Sequence, residues 1–312
     1  MSDSAVNPAV EAVITRVRQT YGRWRRDTPV AQMRADWDAL FSAQGDARMD
    51  AVDAGGVPCQ WVAATGARED RVIVYFHGGG FQVGSLASHS ELMACISAAA
   101  GARVLGVGYR LAPEHRYPAA LDDALTVWQW LRTQGVLSSQ VALAGDSAGG
   151  GLALSLLLAL QARGEPLPAA FWGLSAWTDL SASGASYQTR AALDPIHQQP
   201  MIVAMARNYL GRDADAKDPK VSPLFATPAQ LGALPPLLLQ VGERETVVSD
   251  SEDFVRKARS AGAQAELQVW PGMIHVFQQF PAELPEARNA LAAGGQFIAA
   301  QLDAASNRKT ST

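Results

Sequence analysis

Cysteine is scarce in this sequence of 312 residues: only Cys59 and Cys95 are present, too few for a disulfide framework, which fits a reducing compartment. Neither has a His or Cys neighbour at metal-ligand spacing, so both read as packing residues. Excess positive charge is also missing. Lys plus Arg number 26 against 30 for Asp plus Glu, giving a net charge of −4 and a pI near 5.7. Without a global positive field, nucleic acid is not an expected partner. No apolar run reaches the roughly 20 residues of a bilayer-spanning helix. The longest, 147–162, has glycines near its start and a charge on either side, so it reads as a buried core helix and no membrane insertion is expected. The first 26 residues lack the apolar h-region and small-residue cleavage site of a secretory signal, so a cytoplasmic location is expected. There is no internal repeat and no low-complexity linker.

What remains is an ordinary globular composition, 48% hydrophobic and 18% charged, outside the disordered and fibrous classes. At about 150 residues per domain, the length gives a prior of two domains, although α/β folds of this size often close as one. Residues 8–45 carry Val10, Val13, Ile14, Val17, Trp37, Leu40 and Phe41 at helical intervals, separated by Arg16, Arg18, Arg23, Arg25 and Arg26. Two helices with a solvated basic face are expected there. From about residue 60 the texture changes to β-branched runs, at 71–76, 103–108, 140–144, 171–177, 236–241 and 265–270. Helical stretches alternate with them at 88–100, 118–134, 149–162, 249–261 and 285–305. Alternation of this kind predicts βαβ units, an α/β fold with a mostly parallel sheet covered on both faces. Residues 179–223 contain no strand pattern, and Ile196, Met201, Ile202, Met205 and Tyr209 fall at roughly helical spacing, as in a lid inserted after a strand. Asp213, Asp215, Lys217 and Asp218 look faintly like a calcium loop, but its sixth position is Asp218 instead of Gly and its twelfth is Leu224 instead of Glu. No metal or cofactor is expected.

Three motifs carry chemistry. Gly145-Asp146-Ser147-Ala148-Gly149 is a G-x-S-x-G pattern, which by composition alone arises about once in ten chains of this length. Its context sharpens it, because it follows an apolar strand and opens a helix, as a nucleophile elbow requires. The flanking glycines admit a sharp turn, and the helix then points its N-terminal amides at the serine. The second motif, His77-Gly78-Gly79-Gly80-Phe81, also follows a strand; its bare amides suit a developing oxyanion, since no phosphate-loop pattern occurs in the chain. The third is a base. Of five histidines, His77, His89 and His115 precede Ser147. Among hydrolases with an elbow, the order is Ser, acid, His. His197 lies in the expected lid, whereas His275 follows the strand at 265–270 and is the expected base. The acid belongs after the strand at 236–241, where Glu243, Glu245 and Asp250 all qualify by position.

These motifs resemble the hormone-sensitive-lipase-like bacterial esterases, family IV carboxylesterases of the α/β-hydrolase superfamily. The resemblance rests on His77–Phe81, on 109–115 (YRLAPEH) with 118–123 (PAALDD), on Gly145–Gly149, on Asp218-Pro219 with Ser222-Pro223-Leu224, and on 271–275 ahead of Phe277. It covers about residues 70–280 and implies an eight-stranded sheet with a helical cap. The implied division is 1–50 as N-terminal cap helices and 51–312 as the catalytic domain, with a cap insertion at about 180–222. The resemblance maps the acid onto Glu245, leaving Asp250 as the alternative. Two departures stand out: Glu245 occupies a position where many relatives have Asp, and Ser249 one where a second acidic residue is common. The implied activity is hydrolysis of short to medium acyl esters through Ser147, His275 and Glu245, with the oxyanion held by Gly78, Gly79 and Ala148. Phe81, Ile196, Met201, Met205 and Tyr209, together with Trp24 and Trp37, are candidates for an apolar substrate pocket. A small-molecule ester is the expected partner, and a homodimer is left open. A lactone, amide or carbamate hydrolase with the same triad is the alternative. Plant gibberellin receptors resemble the same family without turnover but lack the histidine, which is present here as His275.

Overall fold

The structure, a computed structural model, describes residues 7–309 apart from Arg26, Gln44 and Asp213. Arg26 of the expected basic face and Asp213 of the dismissed calcium loop therefore lie outside the described residues. In chain order, α1 (Pro8–Tyr21) and α2 (Val30–Leu40) precede β1 (Arg48–Asp53), β2 (Pro58–Ala63) and β3 (Arg68–Phe76). Then follow α3 (Ser90–Ala100), β4 (Ala102–Val107), α4 (Ala119–Thr133), β5 (Val141–Asp146), α5 (Ser147–Ala162) and β6 (Ala170–Leu174). The short α6 (Ser186–Thr189), α7 (Gln199–Leu210) and α8 (Pro228–Gly232) lead to β7 (Leu237–Gly242), α9 (Val248–Ser260), β8 (Ala265–Trp270) and α10 (Pro285–Lys309).

The eight strands form one sheet in the order β1-β2-β4-β3-β5-β6-β7-β8. β1 pairs antiparallel with β2 and β2 antiparallel with β4; every other pairing is parallel. Strict alternation of side chains sends each central strand into two cores. Val72, Val74 and Phe76 of β3 join Leu143, Phe171 and Leu239 against α4, α5 and α9. Ile73 and Tyr75 join Ala144, Trp172 and Leu238 against α3 and α10. Burial on both faces is why these strands read as unbroken apolar runs. A third core docks α1: Val10, Val13, Ile14 and Val17 pack on Met273, Ile274, Phe277 and Phe280. At about 1.5–3 kcal/mol for each buried aliphatic side chain, that stripe holds the helix to the turn after β8.

Three sequence expectations need correction. The residue pattern starts strands only at 71, yet β1 and β2 precede it; β1 is an edge strand with a mostly exposed burial pattern, so it shows little apolar alternation. β6 ends at Leu174, not at 177, because Ser175 turns the chain with φ +49°. α5 spans Ser147–Ala162, the whole of the apolar run at 147–162, and so starts two residues before the helical stretch at 149–162. Because β4 and β5 lie on opposite sides of β3, the strand order reverses there. The carboxyl ends of strands at such a reversal leave a crevice, and the loops after β3, β5, β6, β7 and β8 meet there. No helix among the described residues is long and apolar enough to cross a membrane.

Candidate active site

β5 runs out at Asp146, and Ser147 takes φ +49°, a left-handed conformation that is strained for a residue with a side chain. The turn is close-packed: a Cβ on Gly149 would lie 2.0 Å from the Phe76 carbonyl oxygen and 2.4 Å from that of His77. Only glycine fits at that position.

Ser147 Oγ lies 2.9 Å from His275 Nε2, and His275 Nδ1 lies 2.6 Å from Glu245 Oε2. Glu245 is fully buried; its Oε1 accepts from Ser175 Oγ at 2.7 Å and from the Gly242 N–H at 2.5 Å. These partners set the tautomer: Nδ1–H donates to the carboxylate, and Nε2 accepts from the serine hydroxyl. Burial disfavours the charged form of His275, but the Glu245 charge and hydrogen bond outweigh it, and Asp194 and Asp146 add to them; the pKa ends above its ordinary value. A serine in contact with an oriented imidazole can lose its proton as it attacks, which is the geometry an activated nucleophile needs.

Asp250, the alternative acid, is committed elsewhere. Its Oδ2 accepts the N–H groups of Thr178 and Asp179 at 2.9 Å each, and its Oδ1 accepts the Tyr187 hydroxyl. Ser249, at the second departure, exchanges hydrogen bonds with Ser186 instead of supporting Glu245.

The glycine loop differs from expectation at Gly78, whose N–H donates to Asp146 Oδ1 at 2.8 Å and is thus already engaged. Asp146 also accepts the Tyr75 hydroxyl at 2.6 Å and has His89 Nε2 3.4 Å away. Gly79 and Gly80 line the pocket beside Ser147, and among the described residues their N–H groups have no partner. Behind the loop, His77 stacks on Tyr109 with ring centroids 4.4 Å apart; burial, with His89 adding to it, lowers its pKa to about 3.

Of the candidate residues, Ile196, Met205 and, from α2, Trp37 line the pocket over Ser147. Phe81, Met201 and Tyr209 are not among its lining residues. Phe81 turns away with φ +62° and stacks on Tyr209, centroids 3.7 Å apart, one helical turn beyond Met205. Met201 lies half-buried in the first turn of α7. Trp24 donates its indole N–H to Asp36 instead. Sequence reasoning missed Tyr21, Phe41, Trp177, Phe280 and His197 as wall residues. Their helical or strand-end spacing is the same as that of core residues. Asp194 then fastens the wall to the acid loop: its Oδ1 accepts from the Ile196 and His197 N–H groups, and its Oδ2 from the N–H of Thr246, next to Glu245.

A family model of the α/β-hydrolase fold matches residues 73–279. An acetyl-hydrolase of Streptomyces hygroscopicus is 38% identical over 277 residues, covering 88% of this chain and 91% of that protein. An esterase of Acinetobacter venetianus is 37% identical over 231 residues, covering 74% and 75%. The crystal structure of an esterase from the bacterial hormone-sensitive lipase family superposes with a TM-score of 0.91 at 39% identity, covering 97% of this chain and 100% of that one. With that fold, those relatives and the serine–imidazole–carboxylate chain at its strand ends, the protein belongs to the hormone-sensitive-lipase-like bacterial esterases of the α/β-hydrolase fold, a family of carboxylic ester hydrolases.

Proposed function

We propose that the protein hydrolyses short to medium acyl esters through an acyl-enzyme on Ser147. The Ser147 oxygen attacks the ester carbonyl as His275 Nε2 takes its proton; that proton then goes to the leaving alcohol, and water, activated by the same imidazole, releases the acid. Glu245 holds the Nδ1–H and stabilises the imidazolium. The tetrahedral oxyanion is received by the N–H groups of Gly79, Gly80 and Ala148. Gly78 is left out because its N–H is spent on Asp146. Each such donor contributes about 10² to 10³ in turnover. α1, α2 and the segment 180–222 act as the cap that closes this chemistry off.

One observation carries the reading: the unbroken chain from Ser147 Oγ through His275 to Glu245, at 2.9 and 2.6 Å. The aliphatic and aromatic wall, which among the described residues places no Lys or Arg beside Ser147, supports an uncharged substrate. The acetyl-hydrolase relative supports a short acyl group. The test is a p-nitrophenyl ester chain-length series on wild type and Ser147→Ala, with matched amides alongside. The expected result is turnover that is best for short and medium chains and falls about 10⁴-fold or more in the variant. A folded Ser147→Ala protein that keeps its rate would refute the nucleophile.

A further inference from the structure

His197 is 7% exposed and lines the same cavity as Ser147 and His275, yet neither of its ring nitrogens has a hydrogen-bond partner among the described residues. Most buried side-chain polar atoms are paired, so an unpaired imidazole in this wall points to a partner outside the protein. Nδ1 is sealed off, which leaves Nε2 as the nitrogen of this ring open to a bound molecule; Trp37 Nε1 and Gln279 Oε1 in the same lining are unpaired among the described residues too, but His197 is the one whose ring packs against His275. The ring is held in place. It stands edge-on to His275, with centroids 4.5 Å apart and planes at 74°, and Tyr21 meets it edge-on at 6.0 Å. The backbone N–H of His197 donates to Asp194 Oδ1 at 2.8 Å. Burial and the neighbouring His275 push its pKa down to about 3, against a smaller pull from Asp194, so the ring is neutral at working pH and can donate or accept a hydrogen bond.

We propose that His197 is a specificity residue that reads the alcohol half of the ester. This rests on the reading above, in which His275 Nε2 protonates the leaving alcohol. The alcohol oxygen must come to that nitrogen, and the carbons attached to it then pass the ring packed against His275. Val17, Ile196, Ile202, Met205, Val247 and Phe280 offer no side-chain hydrogen bond. An oxygen on the alcohol, two carbons from the ester oxygen, meets the unpaired imidazole. The favoured substrates are esters of small alcohols carrying a second oxygen function, such as diol monoesters.

The experiment compares kcat/KM for 2-hydroxyethyl acetate and propyl acetate, nearly equal in size and differing by one hydroxyl. Wild type is expected to favour the hydroxy ester by about tenfold, the effect of one net hydrogen bond. His197→Phe keeps an aromatic ring against His275 but no nitrogen, and its ratio is expected to fall to about one; His197→Gln, with a polar end, should retain part of the preference. A wild-type ratio of one, or a His197→Phe ratio equal to wild type, overturns the proposal. If circular dichroism shows His197→Phe unfolded, His197→Leu carries the same comparison. A protein that hydrolyses neither acetate nor any p-nitrophenyl ester sinks the underlying reading. One that hydrolyses both acetates with equal efficiency sinks only the role of His197.

Discussion

Ser175 joins the two halves of the site, and its replacement has a calculable cost. Its hydroxyl donates to Glu245 Oε1 at 2.7 Å and accepts the Val276 N–H at 3.1 Å, while its own backbone holds φ +49° in full burial. Ser175→Ala keeps the strained backbone and removes both bonds. A hydrogen bond to a charged group contributes about 1.5–3 kcal/mol, and a buried N–H left unpaired costs about 1–3 kcal/mol. Allowing for relaxation, the loss is about 3–4 kcal/mol, and at about 2 °C per kcal/mol for a chain of this size the Tm should fall by about 6–8 °C. Ser175→Gly loses the same two bonds but releases backbone strain of about 1–3 kcal/mol, part of which is cancelled by the freedom glycine adds to the unfolded chain. The Gly variant should therefore melt about 2 °C above the Ala variant. Calorimetry at neutral pH checks this, with kcat on p-nitrophenyl acetate expected to fall in both variants because Glu245 loses a donor. A Gly variant melting below the Ala variant, or an Ala variant within about 1 °C of wild type, would show that the strain and the two bonds are not coupled as argued.

Glu245→Gln should lower kcat about 10²- to 10⁴-fold. The Glu245 charge favours protonation of His275, so the variant's kcat/KM should begin to fall at a lower pH than that of wild type, and an acid limb that does not move contradicts the coupling. Gly149→Ala places a methyl group 2.0 Å from the Phe76 carbonyl oxygen, which requires β3 and α5 to separate; a loss of about 3 kcal/mol or more is expected in urea unfolding, and a wild-type midpoint rules out the contact. Asp250 is lifted well above the carboxylate range by burial first and the Asp179 charge second. Because its folded pKa is raised, the stability it contributes is fully present below about pH 4 and is lost as pH climbs through the folded value. Asp250→Asn should thus gain in Tm on wild type between about pH 5 and pH 8, and a constant difference across that window contradicts the raised pKa.

Whether a residue's role could be read from the chain depended on how far away its deciding partner lies. The turn at Ser147 is shaped by Gly145 and Gly149 within two residues of it, so strand, turn and helix were legible together. His275 was legible by elimination, since only two histidines follow Ser147. Glu243, Glu245 and Asp250 could not be separated by position, and the family resemblance alone pointed to Glu245. Beside His275, the contacts that distinguish it come from the Gly242 N–H three residues before it and from Ser175, 70 residues upstream, while Asp250 is occupied by Thr178 and Asp179, at similar separation. The triglycine loop shows the same limit. Three adjacent amides look equivalent in the sequence, but Asp146, 68 residues on, takes the first of them. Phe81 and Tyr209 show it again: neither lines the pocket over Ser147, and each stacks on the other across 128 residues of chain. Periodicity reports that a side chain is buried, since burial repeats with the element; it carries no record of which donor, acceptor or ring face a distant segment has already taken. That competition decides which amides and which carboxylate remain for the substrate, so the chemistry of this pocket is defined by groups left unpaired after folding.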